Sequence, residues 1–182
     1  DWVGLENFEA ILKDPLFWRS IWNTFYFSFF AVIFRIALGL GVAVMLYSQL
    51  AKCKTVFRAL FYMPTITPLV AVSLVWVWMY DPQFGLIDKL FGIHVNWLNN
   101  PKWALPAIII MTIWKDFGYA TVLYLAALMN VPTDVLEASQ IDGANSWQRF
   151  WRIIMPLIRP ATVFVFITSL ITYFQAYVQI LM

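Results

Sequence analysis

The chain has 182 residues, of which 62% are hydrophobic and only 12% charged, and its mean hydropathy of +0.74 excludes a soluble domain of ordinary composition. A net charge of +2 leaves no electrostatic footprint for nucleic acid. The single Cys53 rules out an internal disulfide framework and a cysteine metal cage, and His94 is likewise alone.

Residues 1–19 mix polar and aromatic side chains and show no cleavable signal pattern. Four apolar stretches follow, at residues 20–48, 59–80, 103–130 and 160–182. Each exceeds the roughly 20 residues that a helix needs to cross a hydrocarbon core of about 30 Å. The second and fourth carry no charge, whereas Arg35 interrupts the first and Lys115 and Asp116 the third. Charge-free runs of this length have no water-facing stripe, so a soluble helical bundle is excluded. The alternation of a membrane β-barrel strand is missing. The predicted fold is all-α, a multi-pass helical membrane protein forming one membrane domain over residues 1–182.

The loops give an orientation. Lys52, Lys54 and Arg58 mark residues 49–58, and Arg149, Arg152 and Arg159 mark residues 130–159. Lys13 and Arg19 at the start and Lys89 and Lys102 in residues 81–102 make four basic residues against six. The positive-inside rule puts 49–58 and 130–159 in the cytoplasm and 81–102 outside. The external loop 81–102 has turn chemistry at Asp81-Pro82, Gly85 and Asn99-Asn100-Pro101. Its LIDKLFGI run is expected as a short amphipathic patch at the interface. Trp76, Trp78, Tyr80, Trp97 and Trp103 cluster on this side as an aromatic belt would.

Charges inside a span cost about 2.5–3.5 kcal/mol on insertion scales and usually face protein or water. Lys115 and Asp116 are adjacent, so they point roughly 100° apart on their helix. With Trp114 and Tyr119 they are candidates for lining a path for a polar solute, since aromatic side chains combine an apolar face with a polar edge. An interhelical ion pair explains the same charges. Arg35 reads as structural. In the last span Thr168, Thr172 and Gln175 share one face, beside Tyr173 and Gln179. Cavity lining and interhelical hydrogen bonding predict that pattern equally.

Residues 130–159 form a polar segment between two spans, EASQIDGANSWQRFWRIIMP. Two short helices are predicted. Pro132 suits the first helical position and Asp134 the positive helix start. The first helix runs to about Asp142, with Gly143 as its left-handed terminator. Asn145 or Ser146 then caps a second helix, with Gln148 completing a capping box. That helix, residues 147–154, sets Trp147, Phe150, Trp151 and Ile154 against Arg149 and Arg152, and Pro156 ends it.

Glu137, Ala138, Gly143, Ile153 and Pro156 fall at the spacing of the EAA loop, so the chain resembles the permeases of binding-protein-dependent ABC importers. The Asp142-Gly143-Ala144 step resembles the carbohydrate branch. Ser139 replaces the usual third alanine and Met155 a typical leucine. The runs FRALFYMPTITP, NWLNNPKWAL and IWKDFGYATVLYLAALMNVPTDVLEAS, and the opening DWVGLENFEAILKDPLFW with Asn23-Thr24, read like sugar-type permeases, so the similarity covers nearly the whole chain. The resemblance implies a carbohydrate importer's transmembrane subunit (maltose, multiple-sugar or glycerol-phosphate type), with about four of roughly six spans present and spans missing at both ends.

It implies a coupling loop built from Glu137, Ala138, Ser139, Asp142, Gly143, Ala144, Ile153 and Pro156. Ala138 and Ser139 would let a partner approach closely, Gly143 would bend the backbone, and Glu137 would meet a basic residue of the ATPase or brace the loop. The implied solute path comprises Trp114, Lys115, Asp116, Tyr119, Thr172 and Gln175. The implied partners are a second, different permease subunit, two ATPase subunits, an external solute-binding protein and the lipid bilayer, in a bacterial or archaeal plasma membrane. The chain has no GxxxxGK[ST] phosphate loop, paired carboxylates or Ser/His/Asp set. It is therefore expected to be no enzyme and to bind no cofactor, with ATP and magnesium used by the partner ATPase. The rival is an ion-coupled carrier with Lys115 and Asp116 as its coupling site.

Overall fold

The computed structural model describes residues 4–48 and 54–176. Lys52 and Cys53 in the first expected cytoplasmic loop, and residues 177–182 with Gln179, lie outside the described residues. Helix α1, Glu6–Lys13, is followed at once by α2, Pro15–Tyr47. Asp14 separates them: its Oδ1 accepts from the Leu16 N–H at 2.8 Å, and Pro15 opens α2 where a missing N–H costs nothing.

Helices α3 (Lys54–Ile66) and α4 (Leu69–Met79) together replace the expected second span. They are bent by 96° at Thr67-Pro68, so residues 59–80 are not one straight crossing. Pro68 has no N–H to continue the ladder and disfavours helix at the residue before it. Helix α5 (Leu86–Phe91) lies within residues 81–102, and α6 (Ala104–Met129) occupies the expected third span. Helix α7 (Thr133–Ile141), α8 (Ser146–Arg149), a π-helical turn (Phe150–Ile154) and α9 (Met155–Leu157) build the polar segment. Helix α10 (Arg159–Phe174) leaves it at a 64° bend. Among the described residues α2 and α6 are each long and apolar enough to cross a bilayer, and the number rises to four if each bent pair is one span.

Small residues set the helix spacing. A Cβ on Gly39 of α2 would lie 2.6 Å from the Ala120 Cβ of α6, and one on Gly118 would run into the Phe61 carbonyl oxygen of α3. Close backbone approach of this kind is how helices pack when lipid supplies no hydrophobic drive between them. Around α6, Ala43, Leu46, Tyr124, Leu128, Ile158 and Val165 pack near the polar segment. Phe27, Ala31, Ile109, Ile113 and Tyr173 join α2, α6 and α10, and Val72, Trp76, Tyr80, Trp97, Ala107 and Met111 join α4 and α6 to residues 81–102.

That last group corrects the aromatic belt. Trp76, Tyr80 and Trp97 are buried, and only Trp78 and Trp103 face outward. The Tyr80 hydroxyl donates to the Ala107 carbonyl at 2.8 Å. Buried Asp88 accepts from the Trp97 indole N–H at 2.7 Å and the Val95 N–H at 3.0 Å. This carboxylate folds the loop over the α4 and α6 ends. Leu86, Leu90 and Phe91 of α5 remain exposed, as the expected amphipathic patch requires.

Candidate functional site

The polar segment is held in shape at each end of its turn. Pro132 is extended (φ −60°, ψ 128°) and precedes α7 as its N-cap, so Thr133 rather than Pro132 takes the first helical position. At the other end the Gly143 N–H donates to the Gln140 carbonyl at 3.1 Å and the Ala144 N–H to the Ser139 carbonyl at 3.0 Å. With Gly143 at φ 78° this is a complete Schellman cap. Asn145 then caps α8 reciprocally: its Oδ1 accepts from the Gln148 N–H at 2.8 Å, and its own N–H donates to Gln148 Oε1 at 3.0 Å. The turn between α7 and α8 is thus fixed by backbone and cap bonds.

The second helix departs from expectation at Pro156. It does not stop there; the segment runs on to Leu157 and bends at Ile158. The strain of an interior proline is taken up one turn earlier, where the Met155 N–H reaches back five residues to the Phe150 carbonyl. Widening the ladder relieves the clash that a proline ring makes with the carbonyl four residues before it.

The exposed face of this segment carries Glu137, Ala138, Asp142 and Gly143, with Ala144 and Ile153 half-buried and Pro156 exposed. Glu137 has no ion pair among the described residues. Ser139 is corrected. It is 5% exposed, and its hydroxyl donates to the Leu136 carbonyl at 2.6 Å, so it faces the chain's own packing. Ile141, which residue patterns did not single out, is 87% exposed beside the terminator, and Trp147 is 71% exposed. An apolar residue immediately before Asp142-Gly143 was the available signal, since a terminating turn leaves nothing to cover it. Trp147 and Trp151 pack edge to face at 5.5 Å.

The intramembrane polar residues separate into two places. Trp114 faces α4, where Thr67, Ala71, Val75, Trp76 and Met79 join it around a largely apolar cavity of about 520 Å³. Lys115 faces α3 instead. Its Nζ donates to the Thr65 carbonyl at 3.1 Å, and the Thr65 hydroxyl donates to the Lys115 carbonyl at 2.9 Å. The Lys115 ammonium also lies 3.8 Å from Asp116 Oδ1.

On the far side, buried Arg35 stacks its guanidinium between the Tyr119 and Tyr173 rings, 5.4 and 5.6 Å from their centroids. Asp116 lies within the Coulombic reach of both Arg35 and Lys115. The Arg35 Nε and the Tyr173 hydroxyl have no hydrogen-bond partner among the described residues. Thr172 is exposed, with its hydroxyl donating to the Thr168 carbonyl at 2.8 Å, and Gln175 is exposed at the end of α10. Arg35, Tyr119, Asp116 and Tyr173 therefore tie α2, α6 and α10 together, while Trp114 opens toward α4.

Residues 35–182, which include both places, match the family described as the binding-protein-dependent transport system inner membrane component. The chain belongs to that family. This inner membrane component is 30% identical over 181 residues to a probable ABC transporter permease protein of Pyrococcus horikoshii, covering 96% of this chain and 62% of that one. It is 37% identical over 165 residues to the trehalose/maltose transport system permease protein MalF of Thermococcus litoralis, covering 88% and 56%.

Among solved structures it is similar to a bacterial ABC transporter involved in the import of the acidic polysaccharide alginate. The TM-score is 0.86 at 27% identity, over 96% of this chain and 63% of that one. The chain spans about three fifths of the length of the curated relatives it matches. Membership fixes the bilayer as its setting and an all-helical transmembrane fold as its architecture.

Proposed function

We propose that the chain is one membrane subunit of an ATP-driven carbohydrate importer, and that residues 133–158 are where it receives the ATPase's motion. The observation that carries this reading is the doubly capped α7–α8 turn, which presents Glu137, without an ion pair among the described residues, and exposed Ile141 and Trp147 from a rigid frame. Exposed apolar side chains beside a free charge are what a protein partner covers. Arg149, Arg152 and Arg159 favour a cytoplasmic position for the segment.

The carbohydrate class is supported by the relatives, among them transport system permeases for lactose, arabinooligosaccharides and trehalose/maltose. The remaining parts follow from the same reading: a second, different permease subunit, two ATPase subunits that use ATP and magnesium, and an external solute-binding protein meeting the 81–102 side. The membrane is the plasma (inner) membrane of a bacterium or archaeon. Conformational work done on α7 and α8 reaches the spans through the buried Ile158 and the bend into α10. The chain itself acts as a transport subunit, not an enzyme.

An ion-coupled carrier has less support, because Lys115, which with Asp116 would form its coupling site, is engaged by the Thr65 carbonyl of α3. Reconstitution with the partner subunits in proteoliposomes separates the two. Glu137→Lys and Gly143→Asp are each expected to cut uptake and ATPase co-purification by about tenfold, which corresponds to roughly 1.4 kcal/mol of docking energy. Uptake that needs no ATPase, or that survives both changes, overturns the importer.

A further inference from the structure

Helix α1 has no packing role inside the chain: none of its residues is buried. It is nevertheless sharply two-sided. At 100° per residue, Leu5, Phe8, Ile11 and Leu12 fall within one arc of about 120°, while Glu6, Asn7, Glu9 and Lys13 take the opposite side. The apolar set is 75%, 65%, 47% and 56% exposed in that order. On the polar side Lys13 and Glu9 pair at 2.5 Å, both largely exposed.

Its attachment fixes where it lies. The Trp18 indole N–H of α2 donates to the Leu12 carbonyl of α1 at 2.9 Å, so the last turn of α1 is tied to the first turn of α2. Helix α2 has 33 residues, about 50 Å at 1.5 Å per residue, against a hydrocarbon core of about 30 Å. Its ends must therefore project into the interfacial layers. Trp18 and Trp22, 54% and 69% exposed, mark the start of α2 at that depth, where indoles concentrate. On α2, Trp18, Trp22, Phe25 and Phe29 recur at i, i+4, i+7 and i+11, so they share one face, and all four are exposed like the apolar face of α1.

We infer that α1 lies flat in the bilayer interface, with Leu5, Phe8, Ile11 and Leu12 sunk among the acyl chains and Glu6, Glu9 and Lys13 in the headgroup water. With two acids and one base, its attachment comes from apolar area rather than from anionic lipid, so it holds in zwitterionic membranes and at high salt. Bound this way and tied by Trp18, α1 sets the height and tilt of α2. The inference depends on α2 spanning the membrane; it is independent of the transported solute and of the ATPase.

The test uses the full-length protein assembled with its partner subunits in zwitterionic nanodiscs, with Cys53 replaced by serine and a spin label placed in turn at Phe8, Leu12, Glu9 and Lys13. Collisions with oxygen should exceed those with a water-soluble nickel chelate several-fold at Phe8 and Leu12, and the order should reverse at Glu9 and Lys13. On the unaltered complex, a lipid carrying a diazirine near its headgroup should label peptide 4–14, equally at low and high salt. Water access at all four positions, exclusion of both reagents from Phe8 and Leu12 (a protein cover), or absence of lipid labelling overturns the inference.

Discussion

A lysine in the middle of a span looks like a liability, and Lys115 shows why it is kept. Where α3 ends, its last carbonyls lose their helical partners, and inside a bilayer no water replaces them. Three of them find substitutes. The Thr67 hydroxyl donates to the Met63 carbonyl at 3.0 Å, the Thr67 N–H to the Pro64 carbonyl at 3.3 Å, and the Lys115 ammonium to the Thr65 carbonyl. Lys115→Met leaves both that carbonyl and Asp116 short of a partner, and is expected to destabilise the protein by about 3 kcal/mol, read as a lowered Tm in nanodiscs. Adding Asp116→Asn should recover part of the loss, because a neutral amide does not need the cation; an unchanged Tm in the single variant would refute the capping role. The charge at residue 115 was visible in the sequence. Its partner was not, because Thr65 is an uncharged residue fifty positions away whose contribution is a main-chain carbonyl.

At the scale of elements, the polar segment was the most legible part of the chain. Asn145, Gln148 and Gly143 act through bonds to neighbours within five residues, and such local chemistry is written in residue order. The broken second crossing was less legible. Thr67-Pro68 carries a break signal, yet the uninterrupted apolar run around it reads as one span. The buried Trp76, Tyr80 and Trp97 misled for a related reason: composition places aromatics near an interface but does not say whether they face lipid or a carboxylate such as Asp88. Glycine contacts give the sharpest test of packing. Gly118→Ala drives a methyl into the α3 backbone and should abolish recovery of folded protein. Gly41→Ala, with nothing within 4 Å of its new Cβ, should leave it unchanged or raise stability by up to about 1 kcal/mol. Equal yields from the two would remove the close α3–α6 crossing.

Across the whole molecule α6 is the common strut. Its first turns meet residues 81–102 at Ala107, its centre holds Lys115, and its last turns pack with Ile158 beside the polar segment. At 26 residues it is about 39 Å long, so one rigid rod joins the proposed solute entrance to the proposed ATPase dock. The overall architecture followed from composition because hydrocarbon admits few backbone solutions; which polar residues meet in its interior depended on distant pairings. The widened turn at Phe150–Ile154 adds a final consequence. It stores one surplus residue, so deleting exposed Arg152 should let an ordinary α-turn form while Trp147 and its neighbours keep their present side. The narrowed turn brings back the proline clash, so the shortened chain should melt at a lower temperature unless Pro156→Ala accompanies the deletion. With both changes the arm would be straight and still aimed at its motor.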